Sequence, residues 1–201
     1  MRPAVFLDRD GTIIRELGYL TPSSRLTIYP WSIDAIRLLK RAGFAVVVVT
    51  NQGGVGRGLY TCEFVEQTHR MLGERFAAGG AVIDAWHYCP HHPRPAVADV
   101  ATPCACRKPA TGMMTDAART LDLDLHQSWV VGDQWGDIQM GHAAGAATIL
   151  VRTGHGRAQE AARPADTRPP TAVCDNLMVA AGRILGARGG SAGSAGRQVG
   201  A

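Results

Sequence analysis

Apolar residues along the chain gather in short, β-branched runs that alternate with stretches of helical spacing. Val5 to Leu7, Ala45 to Thr50, Ile83 to Tyr88, Trp129 to Val131 and Thr148 to Val151 are apolar and bounded by polar residues or glycine. That is the pattern of strands buried on both faces of a parallel sheet. Between them, Ser32 to Arg41 sets Ile33, Ile36, Leu38 and Leu39 toward one side and stops at Gly43, which predicts an amphipathic helix. A longer helix is predicted behind an N-cap at Thr61, because Phe64, Val65, Thr68, Met71, Leu72 and Phe76 recur at helical spacing before Gly79 and Gly80. Gly112 to Leu121 and Asp137 to Ala144 continue the rhythm. Strands alternating with helices predict an α/β fold, layered around a parallel sheet with right-handed crossovers. Ligands of such sheets bind beyond the carboxyl ends of the strands, where Asp8, Thr50, the Cys89 region and Asp133 fall.

Composition narrows the picture. At 201 residues with 46% hydrophobic content, the chain suits one core. The Gly-, Ala- and Ser-rich run from Gly186 has too little apolar content to order itself, so the expected organisation is one domain over 1–185 and a flexible tail over 186–201. A net charge of +4, partly from Arg scattered near the C-terminus, is too weak to argue for a nucleic-acid partner. The longest aliphatic run, Ala45 to Val49, falls far short of the roughly 20 apolar residues of a membrane span. No basic segment leads into an apolar stretch at the start, so a cytoplasmic protein is expected. No long amphipathic seam argues for a dimer, and a monomer is expected. Five Cys, three of them between Cys89 and Cys106, point to metal chemistry in a reducing compartment rather than to disulfides.

The candidate chemistry begins at Asp8-Arg9-Asp10-Gly11-Thr12, directly after the first strand. If the chain turns at Gly11, both carboxylates face one cavity and attract a hard divalent cation such as magnesium. One carboxylate can then take a phosphoryl group as nucleophile, and the other can protonate the leaving oxygen and later deprotonate water. The bland reading is a turn, since Asp and Gly are common there. After the second strand, Thr50-Asn51-Gln52-Gly53-Gly54-Val55-Gly56-Arg57-Gly58 offers a hydroxyl, amides and a glycine-rich backbone to phosphate oxygens. Arg107-Lys108-Pro109 supplies a planar fork and a compact point charge, or else an ordinary surface ion pair. Gly132-Asp133-Gln134-Trp135-Gly136-Asp137 follows another strand and brings a carboxylate that can complete a magnesium shell, while Asp137 suits either a helix cap or a positioning role.

These elements, in this order over residues 4 to 153, resemble the haloacid dehalogenase (HAD) superfamily of aspartyl-phosphate phosphatases. The resemblance implies a Rossmann-like three-layer sandwich, Asp8 as nucleophile and Asp10 as general acid and base. It matches Thr50 and Lys108 to the family's Thr and Lys, and Asp133 and Asp137 to its last carboxylates. It further implies magnesium held by Asp8, the backbone carbonyl of Asp10 and Asp133.

Cys89-Pro90-His91-His92-Pro93 and Cys104-Ala105-Cys106 provide three thiolates and an imidazole, the donor set of a closed structural zinc site. The expected ligands are Cys89, His91, Cys104 and Cys106, with His92 as rival to His91. Zinc there would pin the loop that carries Arg107 and Lys108. This loop and the Thr-Asn-Gln-x-Gly-x-x-Arg-Gly pattern resemble the D-glycero-D-manno-heptose 1,7-bisphosphate 7-phosphatase family. The resemblance implies hydrolysis of the C7 phosphate of a heptose bisphosphate, no large cap domain, and recognition of a phosphorylated sugar by Arg57 and Arg107. Gly53 stands where that motif usually has Ser, and Gln134 where many relatives carry a basic residue. Histidinol-phosphate phosphatases share the zinc ligands and are the rival within this class. A zinc-stabilised module that binds nucleic acid or a phosphoprotein is the rival from another. Cys62, Cys174, Trp135 and the remaining histidines, His69 and His155 among them, are read as packing or surface residues.

Overall fold

The computed structural model describes residues 1–19, 26–97, 100 and 103–192, the side chains of 189–192 excepted. Strands β1 (Arg2–Leu7), β2 (Ala45–Asn51), β3 (Ala85–Cys89), β4 (Leu123–Gly132), β5 (Ala147–Val151) and β6 (Ala172–Cys174) form one sheet. All its pairings are parallel and its order is β3-β2-β1-β4-β5-β6. Helices α1 (Ser32–Arg41), α2 (Cys62–Ala78), α3 (Gly112–Leu121), α4 (Trp135–Ala143), α5 (Gly156–Ala161) and α6 (Leu177–Ala192) complete the fold.

Strand alternation sorts the core into two layers. Val5 and Leu7 of β1 face Ile36 and Leu39 of α1, Leu72 and Phe76 of α2, and Leu177, Ala180, Ala181 and Ile184 of α6. Ala4 and Phe6 turn the other way, toward Met113, Met114 and Ala117 of α3 and Met140 of α4. The result is the expected three-layer sandwich. Among the described residues no inserted segment forms a cap domain. The Thr61 hydroxyl caps α2 by accepting from the Phe64 N–H at 3.3 Å, as its position predicts.

Some elements exceed the sequence reading. β4 starts at Leu123, six residues ahead of the apolar run at Trp129. Its first half is half polar, and the pairing with β1 is irregular between Pro3 and Val5. There the Ser128 hydroxyl accepts from the Ala4 N–H at 2.9 Å and closes the gap in the ladder. β6, α5 and α6 carry no periodicity strong enough to announce them. Helix α6 runs on to Ala192, past the expected start of the tail at Gly186, because its N-terminal turns are anchored in the core. Residues 193–201 of that expected tail lie outside the described residues.

From central β1 the chain winds outward through β2 and β3, then crosses back to build β4, β5 and β6 on the other side. The loops leaving β1 and β4 therefore diverge, and the crevice between them opens at the sheet's carboxyl edge, the switch point of a doubly wound sheet.

Candidate active site

Asp8 follows β1 and stays in register, its N–H donating to the Val131 carbonyl at 2.9 Å. Asp133 follows β4, so adjacent parallel strands deliver both carboxylates to one place. With Asp137 on the first turn of α4, their oxygens lie within 4.8 Å of one another, and all three side chains are buried. Lys108 Nζ sits among them. It donates to Asp8 Oδ1 at 2.6 Å, to Asp137 Oδ1 at 2.6 Å and to the Val49 carbonyl at 3.0 Å. Burial alone would lower the Lys108 pKa, but Asp137 and Asp8 outweigh it and hold the ammonium charged.

Asp137 is not the N-cap of α4, a place Gln134 takes, but the third helical residue, and its carboxylate also meets Lys108. Its Oδ2 accepts from the Gln134 N–H at 3.1 Å in a capping box, and its Oδ1 takes Lys108. Both oxygens are thereby occupied. Asp133 differs. Oδ2 accepts from the His155 N–H at 2.7 Å, whereas Oδ1 is buried without a hydrogen-bond partner. Burial, reinforced by Asp8 and Asp137, pushes the Asp133 carboxyl up to about 9, and burial pushes Asp8 up to about 7 against the pull of Lys108. An orphaned buried oxygen beside crowded carboxylates is the environment a hard divalent cation relieves. The donor set of Asp8 and Asp133 thus fits magnesium.

Asp10 lies across the same cavity of about 270 Å³, which Thr50, Asn51, Gln52, Arg107 and Lys108 also line. Asn51 and Gln52, the expected phosphate contacts on that wall, also have protein partners. Asn51 accepts from the Lys108 N–H at 3.0 Å and donates to its carbonyl at 3.3 Å, bracing the lysine's backbone. Gln52 donates to Asp10 Oδ2 and to Thr50 Oγ1, each at 2.9 Å. Arg107 lines the cavity, its Nη1 donating to the His91 carbonyl at 2.8 Å. Gly53 leaves room for this, since a Cβ there would come within 3.2 Å of Arg107 Nη1 and 3.1 Å of His92 Cδ2.

Arg57 is not brought into the cavity. It is exposed, stacks on the Tyr19 ring at 4.9 Å and donates to the Tyr19 hydroxyl at 2.9 Å, and Tyr19 lines the cavity in its place. Glu16, Tyr60 and the His155 backbone also belong to the site without having been singled out. Trp135 packs, as expected, donating from its ring to the Gln159 carbonyl at 2.7 Å.

The four expected zinc ligands converge where β3 ends. Cys106 Sγ lies 3.0 Å from Cys89 Sγ, 3.6 Å from Cys104 Sγ and 3.2 Å from His91 Nδ1. Cys89 Sγ lies 3.4 Å from the same nitrogen. His92 turns away, its Nδ1 accepting from the Arg94 N–H at 3.1 Å. Three sulfurs and one imidazole nitrogen at these separations fit a closed tetrahedral site.

Comparison with known proteins agrees with this geometry. The HAD-hydrolase-like family model matches residues 105–180. A D-glycero-beta-D-manno-heptose-1,7-bisphosphate 7-phosphatase of Escherichia coli is 42% identical over 165 residues, 82% of this chain and 86% of its own length. A D-glycero-D-manno-heptose-1,7-bisphosphate 7-phosphatase of Thermosynechococcus vestitus is 44% identical over 77% of this chain and 81% of its own. The crystal structure of the D,D-heptose 1,7-bisphosphate phosphatase of B. bronchiseptica, complexed with magnesium and phosphate, superposes with a TM-score of 0.81 at 35% identity, covering 93% of this chain and 99% of that one. With its carboxylates gathered around Lys108 and its Cys/His cluster beside them, the chain belongs to the heptose 1,7-bisphosphate 7-phosphatase family of HAD-like hydrolases.

Proposed function

We infer that the protein hydrolyses the C7 phosphate of D-glycero-D-manno-heptose 1,7-bisphosphate, leaving the 1-phosphate, through an aspartyl-phosphate on Asp8. The observation that carries this reading is Lys108 Nζ bridging Asp8 and Asp137 at 2.6 Å each, beside the unpartnered Asp133 Oδ1. Magnesium, held by Asp8, the backbone carbonyl of Asp10 and Asp133, would neutralise the negative charge that gathers around the transferring phosphoryl group.

The remaining chemistry belongs to the chain. Lys108 favours the ionised form of Asp8 against burial and fixes its Oδ1, so that the nucleophile meets phosphorus already oriented. Asp10, in acid form, gives its proton to the C7 oxygen as the phosphorus–oxygen bond breaks and the bond to Asp8 forms. It then takes a proton from the water that releases phosphate from Asp8. The Thr50 hydroxyl and the Lys108 ammonium stabilise the phosphoryl oxygens, and Arg107, which also lines the cavity, binds the second phosphate. Zinc held by Cys89, His91, Cys104 and Cys106 is structural. The substrate is a small phosphorylated sugar, and the protein acts as a cytoplasmic monomer without nucleic acid. No helix of the described residues is long and apolar enough to cross a membrane.

A substrate panel with magnesium, comparing heptose bisphosphate, histidinol phosphate and hexose bisphosphates, is expected to give the highest kcat/KM with the heptose. A higher value for histidinol phosphate would overturn the assignment. Asp8→Asn is expected to lower turnover by at least about 10⁴-fold while the fold persists, and an active Asp8→Asn protein would exclude the covalent route.

A further inference from the structure

Arg9 stands between the two catalytic carboxylates in sequence, yet its side chain leaves the cavity and is the largest fully buried side chain among the described residues, 1% exposed. A charge so placed is destabilising unless it is paired and hydrogen-bonded. Its carboxylate partner is Asp10. Arg9 Nε lies 3.1 Å from Asp10 Oδ2, and Nη2 lies 2.9 Å from Oδ2 and 3.3 Å from Oδ1, a bidentate grip. The third nitrogen, Nη1, lies 3.1 Å from His69 Nε2. A guanidinium only donates, so Nε2 accepts and the His69 proton resides on Nδ1. Burial, with Arg9 adding to it, holds the His69 pKa down to about 3, and the neutral ring stacks on Trp86 at 4.9 Å.

Asp10 is held also by Gln52, whose Nε2 donates to Oδ2 at 2.9 Å. Gln52 is itself oriented, because the Tyr60 hydroxyl donates to its Oε1 at 3.0 Å. Burial pushes Tyr60 up to about 12, so the phenol keeps its proton at any assay pH. Gly54 makes room for that ring, since a Cβ there would lie 2.3 Å from it.

Asp10 Oδ2 thus accepts hydrogen bonds from Arg9 Nε and Gln52 Nε2 and has Nη2 in ion-pair contact, whereas Oδ1 has a single, longer hydrogen bond, from Nη2 at 3.3 Å. We propose that Arg9, backed by His69, and Gln52, backed by Tyr60, are positioning residues that hold Asp10 by Oδ2 and leave Oδ1 as the oxygen that exchanges the proton. In the first step Oδ1–H passes its proton to the ester oxygen as the phosphorus–oxygen bond breaks and the Asp8–phosphorus bond forms. In the second, water gives its proton to Oδ1 as its oxygen attacks phosphorus and frees Asp8. The inference rests on Asp10 being the general acid and base.

The test compares kcat/KM for the heptose bisphosphate, whose alkoxide leaving group needs a proton, with kcat/KM for 4-nitrophenyl phosphate, whose leaving group does not. Arg9→Lys keeps the charge and loses the fork. It is expected to lower kcat/KM for the sugar about tenfold to a hundredfold, part of the full contribution of general acid catalysis, and to leave the aryl ester within about threefold. His69→Leu should behave likewise, and His69→Gln, which still offers an acceptor to Arg9, should recover most of the loss. Should Arg9→Lys fail to fold, Tyr60→Phe, which loses only a hydroxyl, carries the same selective expectation. Equal losses on both substrates, or no loss on either, overturn the proposal. Asp10→Asn separates the two layers of inference. A selective loss there with unselective losses in Arg9→Lys, His69→Leu and Tyr60→Phe sinks the positioning network alone, whereas an unselective loss in Asp10→Asn sinks the role of Asp10 itself.

Discussion

Asp133 is pinched between two glycines, and neither position tolerates a side chain. Gly11 has φ +81°, and a Cβ on it would lie 2.1 Å from Asp133 Oδ2; Gly154, at φ +56°, would bring a Cβ equally close at 2.1 Å. The approach is what allows the His155 N–H to reach Oδ2 and leaves Oδ1 for a cation. Gly11→Ala would add backbone strain of about 1–2 kcal/mol and displace that carboxylate. The expected outcome is a loss of turnover of at least about a hundredfold, as for a misplaced catalytic group, together with loss of the rise in Tm that magnesium is expected to confer on the wild type. A magnesium titration followed by thermal unfolding checks it, and a Gly11→Ala protein that magnesium still stabilises fully would show that Asp133 is not held this way. Asp8, Asp10 and Gly11 were legible in the sequence because one short turn carries them. Gly154 and the His155 N–H were not, since a backbone contact leaves no mark in residue type. Arg57 has a type that suits a phosphate, but residue type is silent on its pairing with Tyr19 at the surface.

Among the described residues between β3 and α3 no strand or α-helix forms, and the Cys/His cluster joins the Asn51–Lys108 contacts in tying this stretch to the sheet. Cys89 is the last residue of β3, while Cys104 and Cys106 lie just ahead of Arg107 and Lys108. Zinc binding is therefore expected to be folding free energy for this segment and little else. Chelation, verified by metal analysis, should speed amide exchange from Cys104 to Lys108 and lower kcat/KM, while β1 and β2 stay protected. Unchanged exchange after zinc loss would remove the structural role. The grouping of Cys89, His91, Cys104 and Cys106 was readable because soft donors are rare enough for a cluster to stand out, and the structure separates His91 from His92 through the latter's turn toward Arg94. Helices α1 and α3 coincide with their predicted bounds, since their apolar faces are continuous. β6 is only three residues long, and the glycines of α6 imitate a tail, so tertiary packing against α1 decides what local pattern does not.

At the scale of the whole molecule, the alternation of strands and helices implies a parallel sheet, but strand order depends on which strands meet across long stretches of chain. Local spacing is silent on that. The same holds for long-range polar contacts such as Arg9 with His69, which joins the turn after β1 to α2 and, through Trp86, to β3. That contact gives stability a defined pH dependence. In the folded protein, burial and Arg9 hold the His69 pKa at about 3, against 6.5 for an ordinary histidine. Between these values the unfolded chain binds a proton that the native protein refuses, so the derivative of unfolding free energy with pH is positive there. Through this one group acidification destabilises the fold, starting near pH 6.5 and ending near pH 3, while the raised Asp8 and Asp133 carboxyls act in the opposite direction in both proteins compared below. The slope in that window is about 1.4 kcal/mol per pH unit for this one group. His69→Gln keeps the acceptor for Arg9 and cannot take up the proton. Denaturant unfolding at pH 7.5 and pH 5 should thus show the wild type losing about 2 kcal/mol more than His69→Gln. Equal losses in the two proteins would mean that the buried imidazole is protonated along with Arg9, or that it leaves this site at mild acidity, and the neutral acceptor assigned to it would be wrong.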